Sequence, residues 1–87
     1  MTLKIVKETG RRLTTIRLAG RIQAEDLDEL RAQITSSPRA VLDLDEVTLV
    51  DVEVIRFLSA TKREGIELRH CAPFIREWMA REQDREP

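Results

Sequence analysis

The chain contains few of the residues that most catalytic and cofactor-binding sites use. Its 87 residues include no tyrosine, one histidine and one cysteine, and its three glycines stand far apart. A histidine-based catalytic triad therefore has little material, and neither Gly-x-Gly-x-x-Gly nor a Walker loop is present. The single cysteine, Cys71, excludes a disulfide within the chain, so the cytoplasm is the expected location.

Charge and hydropathy argue against two further classes of protein. Charged residues make up 36% of the chain, but they are mixed in sign and the formal net charge is −1. Because a nucleic-acid binder needs a basic excess on one face, we expect no nucleic-acid partner. No apolar run approaches the ~20 residues of a membrane span, and the first residues have no apolar core of signal-peptide length. We expect a single domain over residues 1–87, without direct membrane insertion.

Apolar residues recur at spacings that predict seven secondary-structure elements. In chain order, these are strands at 3–7 and 12–19, a helix at 24–34, a strand at 41–44, a helix at 52–62, a strand at 66–70 and a helix at 73–80. The order β-β-α-β-α-β-α predicts an α/β fold with a small mixed sheet, because an initial hairpin is followed by helical crossovers. We expect the helices mainly on one face of the sheet, and a frayed tail over residues 82–87.

The stretch 40–62 organises the chain as a strand, a short connection and a capped helix. Val41, Leu42 and Leu44 predict a central strand that is buried on both faces. Asp51 is a good N-cap for the helix that follows. In such a unit the carboxyl end of the strand and the amino end of the helix form the natural working surface.

Carboxylates are frequent in this stretch and raise the alternative of a Mg²⁺ or acid–base site. They are Asp43, Asp45, Glu46, Asp51 and Glu53. We favour a structural interpretation, in which Asp45 and Glu46 are ordinary loop acids and Asp51 is a cap. On this interpretation the protein is not an enzyme and has no catalytic residue, metal ligand or cofactor.

His70 and Cys71 are adjacent and form a second alternative site. Two neighbouring ligands without further Cys or His make a poor metal site, so we favour a strand end that carries both. Cys71 precedes a predicted helix amino end, a position that lowers thiol pKa values. Whether Cys71 is reactive therefore stays open.

Three segments of the chain resemble a STAS domain, the fold of anti-sigma factor antagonists and of the cytoplasmic tails of sulfate transporters. They are Ile16-Arg-Leu-Ala-Gly-Arg-Ile22 with an acidic helix after it, Val41-Leu-Asp-Leu-Asp-Glu-Val-Thr-Leu-Val-Asp51, and Glu64-Gly-Ile-Glu-Leu68. The middle segment is the most specific, since it joins an Asp-Leu pair in the strand to an Asp that opens the next helix. The resemblance extends from about residue 3 to residue 81.

The resemblance also locates a regulatory position. After the second aspartate the family has Ser, then Ser or Thr, then Gly, and the first hydroxyl is phosphorylated by the anti-sigma factor itself. Here Asp51 matches the aspartate, whereas Val52, Glu53 and Val54 follow it. Val52 cannot accept phosphate, and Glu53 is no full phosphomimic because a carboxylate carries about half the charge of a phosphate. The implied partner-binding surface consists of Asp43, Asp51, Val52, Glu53, Val54 and Arg56.

The function that the resemblance implies is a bacterial, non-enzymatic protein-interaction module of signal transduction and transcription regulation. Its expected partner is an anti-sigma factor, which is a histidine-kinase-like ATPase, or a similar regulator. Without the phosphoacceptor, the resemblance implies one of two outcomes. Either partner binding persists while the usual partner switching does not, or the surface has been adapted to another partner. One alternative is an accessory STAS subunit of a membrane transporter complex, and a homodimer is a further possibility.

Overall fold

A computed structural model of the chain describes residues 3–37 and 39–85, and these contain eight secondary-structure elements. In chain order they are β1 (Leu3–Thr9), β2 (Thr14–Ile22), a short 3₁₀ helix (Ala24–Asp26), α1 (Leu27–Thr35), β3 (Ala40–Val50), α2 (Val52–Arg63), β4 (Glu67–Arg69) and α3 (Pro73–Arg85). The strands lie in the order β1-β2-β3-β4. β1 is antiparallel to β2, and the other two pairings are parallel. The predicted α/β fold with a mixed sheet is confirmed.

One face of the sheet carries the hydrophobic core. Ile16 and Leu18 of β2 are buried there together with Leu42 and Leu44 of β3, while the intervening Arg17 is exposed. Such alternation is expected when only one face of a strand is covered. The helices add residues to the same core cluster, among them Leu30 of α1, Ile55 and Leu58 of α2, and Ile75 of α3. This agrees with the prediction that the helices lie mainly on one face.

β3 is longer than the sequence predicts, because two β-bulges interrupt its alternation. Its pairing with β2 shifts by one residue between Asp43 and Glu46, and again between Val47 and Leu49. Each bulge inserts one extra residue into β3. Apolar side chains consequently return to the core at three-residue spacing, and such spacing does not indicate a strand.

Two expectations for this strand are wrong as a result. Asp45 and Glu46 were expected in a loop, but both lie within β3 and are exposed. Burial on both faces holds only at the start of the strand, where the neighbouring Val41 and Leu42 are both buried.

The ends of α2 and α3 are partly as predicted. Gly65 follows α2 with a φ of +93° and donates its N–H to the Lys62 carbonyl at 3.0 Å, as a glycine beyond a helix end does. α3 begins at Pro73 but continues to Arg85, so it includes part of the predicted tail. The Arg56 Nε of α2 lies 3.3 Å from Glu82 Oε1 and pairs with this last part of α3. Residues 86–87 of the predicted tail lie outside the described residues.

Across the described residues, none of the helices has both the length and the apolar character that crossing a membrane would require.

Candidate functional site

The amino end of α2 is held by the carboxylate of Asp51. Asp51 Oδ1 accepts a hydrogen bond from the Val54 N–H at 3.1 Å, and Oδ2 accepts one from the Ala24 N–H at 3.1 Å. The Asp51 backbone is extended, as N-cap residues are. The predicted N-cap is therefore confirmed. The same carboxylate also ties the start of the 3₁₀ helix to the start of α2, which fixes the backbone on which Val52 and Glu53 sit.

The residues after Asp51 divide between surface and core. Val52 is half-buried, and Glu53 and Arg56 are exposed. Val54 is 0% exposed, so the inclusion of Val54 in the partner-binding surface is wrong. The reason is helical geometry, because Val54 lies four residues before the fully buried Leu58 and shares its face of α2.

Asp43 does not lie near the junction of β3 and α2, where Asp51 lies. It precedes Val50, the last residue of β3, by seven residues, which corresponds to roughly 20 Å of extended strand. Its side chain also lies on the sheet face opposite the core, since Leu42 and Leu44 on either side of it are buried. The prediction that placed Asp43 on one surface with Asp51 is wrong, because β3 continues beyond the expected strand end.

Asp43 instead lies at the centre of a polar cluster on the open face of the sheet. The His70 Nδ1 lies 3.0 Å from Asp43 Oδ1, which also accepts the Asp45 N–H at 3.0 Å. On the other side, Arg17 Nε lies 4.0 Å from Asp43 Oδ2, and Arg17 also approaches Glu8 at 3.7 Å. The Asp43 side chain is 13% exposed, whereas that of His70 is 61% exposed. Asp43 is thus held from three directions, and His70 faces solvent.

The pKa of Asp43 reflects two opposing effects. Burial disfavours the charged carboxylate and raises its pKa. The hydrogen bond with His70 and the hydrogen bond from the Asp45 N–H act in the opposite direction, as do the charge of His70 when its ring is protonated and the charge of Arg17. Together they prevail and hold the pKa of Asp43 below its ordinary value of 3.8. Asp43 is therefore ionised at neutral pH.

His70 reaches Asp43 because of the register between β3 and β4. Arg69, the last residue of β4, pairs with Asp43, and His70 follows it with a φ of +56°. A left-handed backbone is uncommon for a residue other than glycine. The alternation of Ile16, Arg17 and Leu18 in the sequence puts Arg17 on the face of the strand opposite to the two apolar residues. The sequence contains no comparable signal for His70, since its contact depends on strand pairing between distant segments.

The surroundings of Cys71 bear on the reactivity of its thiol, which the sequence left open. Its side chain is half-buried, and this burial raises the pKa of the Cys71 thiol. The charges of Arg76 and Lys62 lower it, but by less than burial raises it. Because the thiolate is the reactive form, the structure favours an unreactive thiol at neutral pH.

A shallow concavity of about 360 Å³ lies on the open face beside the Asp43–His70 pair. Both cationic and anionic side chains line it, including those of Lys4, Arg17, Asp45 and Glu46. The predicted acidic set is therefore split, with Asp43, Asp45 and Glu46 near this concavity and Asp51 and Glu53 at the amino end of α2. Within the described residues, no three His, Cys, Asp or Glu side chains are grouped as a metal ion would require.

Comparison with solved structures identifies the fold. The chain is similar to an uncharacterized protein of the DUF3478 family with a SpoIIAA-like fold from Shewanella loihica PV-4, with a TM-score of 0.51 and 16% sequence identity. The match covers 76% of this chain and 61% of that one, so the chain spans less than two thirds of that protein's length. No protein-family model matches the chain, and no curated protein does. At this identity the likeness concerns the fold alone, and the chain has the SpoIIAA-like fold, which is the STAS fold that the sequence predicted.

Proposed function

We propose that the chain is a non-enzymatic regulatory module that binds a protein partner through the amino end of α2, without a phosphorylation switch. The observation that supports this most directly is the double hydrogen bonding of Asp51, which fixes the start of α2 against the 3₁₀ helix. A surface that is already ordered loses little conformational entropy on binding. We call the exposed or half-exposed residues Asp51, Val52, Glu53 and Arg56 the α2 mouth.

The chemistry of the α2 mouth suits a protein partner. Val52 is a half-buried apolar side chain, flanked by the exposed charges of Glu53 and Arg56. An apolar centre with a charged rim is the usual composition of a protein–protein contact. We expect the partner to offer an apolar contact to Val52 and a basic group to Glu53.

The absence of a hydroxyl at position 52 is the basis for proposing constitutive binding. Phosphorylation would add up to two negative charges at the α2 mouth and would alter the contact. Val52 offers no oxygen for this reaction. Ser59, the next hydroxyl along α2, is 5% exposed and is closed to a kinase, whereas Thr48 in β3 is exposed. The SpoIIAA-like fold supports an anti-sigma factor of the histidine-kinase-like ATPase type as the partner, in the bacterial cytoplasm.

The test is a binding measurement with a purified anti-sigma factor of this type from the same organism. The wild-type chain should bind it, and Glu53→Arg should weaken binding about tenfold, or ~1.4 kcal/mol, because the new charge opposes the basic partner group. Glu77→Arg is the matched control, since Glu77 is exposed on α3 and the substitution makes the same charge reversal at a different surface. Circular dichroism establishes that both variants are folded.

Three outcomes would reject the proposal. The first is failure of the wild-type chain to bind any anti-sigma factor of this type, and the second is equal weakening of binding by both charge reversals. Binding to a transporter ATPase subunit in place of the anti-sigma factor would support the transporter-subunit alternative.

A further inference from the structure

The polar cluster on the open face of the sheet has a feature that the α2 mouth does not use. Asp43 is 13% exposed and is held by three partners, while His70 is 61% exposed. An ionised and positioned carboxylate is thus paired with an accessible imidazole. In enzymes this pairing orients a histidine so that one ring nitrogen is left for chemistry.

The contact with Asp43 determines which nitrogen of His70 is available. Nδ1 lies 3.0 Å from Asp43 Oδ1, and an ionised carboxylate only accepts hydrogen bonds, so Nδ1 carries the proton. In the neutral ring, Nε2 then keeps its lone pair. Among the described residues, none forms a hydrogen bond with Nε2. In that form of the ring Nε2 is the nitrogen that can act as a nucleophile, on a side chain that is 61% exposed.

We propose that His70 is a phosphoryl-acceptor site, with Nε2 as the attacked atom and Asp43 as the positioning residue. This goes beyond the proposed function, because it concerns a different surface and a different atom from the α2 mouth. The co-reactant is a donor with a labile phosphoryl group, such as a kinase loaded with a nucleoside triphosphate or a small phosphoramidate.

The step balances without a further proton acceptor. The Nε2 lone pair forms a bond to phosphorus while the bond from phosphorus to its leaving group breaks. With phosphoramidate, the zwitterion ⁺H₃N–PO₃²⁻ loses ammonia. The product keeps the Nδ1 proton on a cationic ring that carries a dianionic phosphoryl group. The negative charge of Asp43 stabilises that cation, and its carboxylate holds the Nδ1 proton throughout.

The surroundings of His70 include cationic side chains. His70 borders two concavities, one lined by Lys4 and Arg17 and the other by Lys62 and Arg76. These cations suit a tetrahedral dianion once it is bonded to the ring.

Besides Asp43, three acidic residues line these concavities, namely Asp45, Glu46 and Glu67. They offset the cations, so the site is not a general anion site. We therefore expect covalent transfer to His70 but no measurable binding of inorganic phosphate.

The test is phosphorylation of the folded protein by potassium phosphoramidate, followed by ³¹P nuclear magnetic resonance. Because the chain has one histidine, any phosphohistidine signal in the ³¹P spectrum reports on His70. We expect a single Nε2-phosphohistidine isomer. Asp43→Asn should keep that isomer but slow its formation by roughly tenfold, a modest share of what a positioned partner contributes in a closed site. Asp28→Asn is the matched control and should leave the rate unchanged, because Asp28 is exposed in the first turn of α1 and lines neither concavity.

The result that overturns the proposal is equally specific. Formation of the Nδ1 isomer, or a wild-type rate equal to that of the chain unfolded in urea, would show that Asp43 does not prepare the ring. Should Asp43→Asn fail to fold, a ¹⁵N–¹H correlation spectrum of the wild-type imidazole decides the matter. A proton on Nδ1 supports the proposal, and a proton on Nε2 in the neutral ring rejects it. Neither result bears on partner binding at the α2 mouth.

Discussion

Replacing Asp51 by alanine should remove the two hydrogen bonds that hold the start of α2. Loss of the cap to Val54 costs about 1 kcal/mol in proteins generally. The second bond, from the Ala24 N–H, is exposed to water, so it should add about 0.5–1 kcal/mol. We expect Asp51→Ala to lower the free energy of unfolding by about 2 kcal/mol, or roughly 10 °C in Tm for a domain of this size.

Urea denaturation followed by circular dichroism measures this loss. The slope of the free energy with urea should not change, because the fold and the surface exposed on unfolding stay the same. Asp51→Asn retains one acceptor oxygen, so its free energy of unfolding should fall by about half as much as that of Asp51→Ala. Asp28→Ala is the control, since Asp28 is an exposed charge in the first turn of α1 and its removal should cost less than about 1 kcal/mol. Equal losses for Asp51→Ala and Asp28→Ala would refute the double role of Asp51.

Three further predictions concern the core, the polar cluster and the thiol. Leu44→Ala should cost ~2–5 kcal/mol in urea, since Leu44 is 1% exposed in the core; a loss below ~1 kcal/mol would mean that the strand is misplaced. The difference in free energy of unfolding between wild type and Asp43→Asn should be largest above pH 4 and should shrink as the pH falls through the lowered pKa of Asp43. The reason is that the unfolded state binds the proton more readily than the folded state does. A difference that is constant from pH 6 to pH 2 would contradict this. Cys71 should react more slowly with Ellman's reagent at pH 7 in the folded chain than in urea, because burial raises its thiol pKa; equal rates would show that it is not protected.

The sequence predicted the elements whose signals are local. The cap at Asp51 is a short-range feature, and it lies where it was expected. The local pattern likewise predicted a strand over residues 12–19, which overlaps β2. Chain order and crossover rules then sufficed for the mixed sheet.

The extent of β3 and the surroundings of Asp43 were beyond local signals. Two bulges changed the spacing of Leu44, Val47 and Val50 from two residues to three, which hid the second half of the strand. Because that half was missing, Asp43 was expected at a strand end. Its contact with His70 depends on the pairing of β3 with β4, and a single sequence does not specify that register.

The phase of α2 explains the error at Val54. Its side chain could be assigned to surface or core only once the direction of the helix against the sheet was known. In the structure Val54 and Leu58 are both fully buried, so the face of α2 that carries them packs on the core. The α2 mouth is consequently narrower than the resemblance implied and is centred on Val52 and Glu53.

The most direct test of the central claim compares partner binding with and without ATP. The affinity of the wild-type chain for a histidine-kinase-like anti-sigma factor should be the same in both conditions, and mass spectrometry should detect no acid-stable phosphate on the chain. Val52→Ser restores a hydroxyl at the α2 mouth, so it should acquire acid-stable phosphate and lose affinity when ATP is added. If ATP weakens binding of the wild-type chain and acid-stable phosphate is found on Thr48, the switch has moved elsewhere and the claim of constitutive binding is wrong.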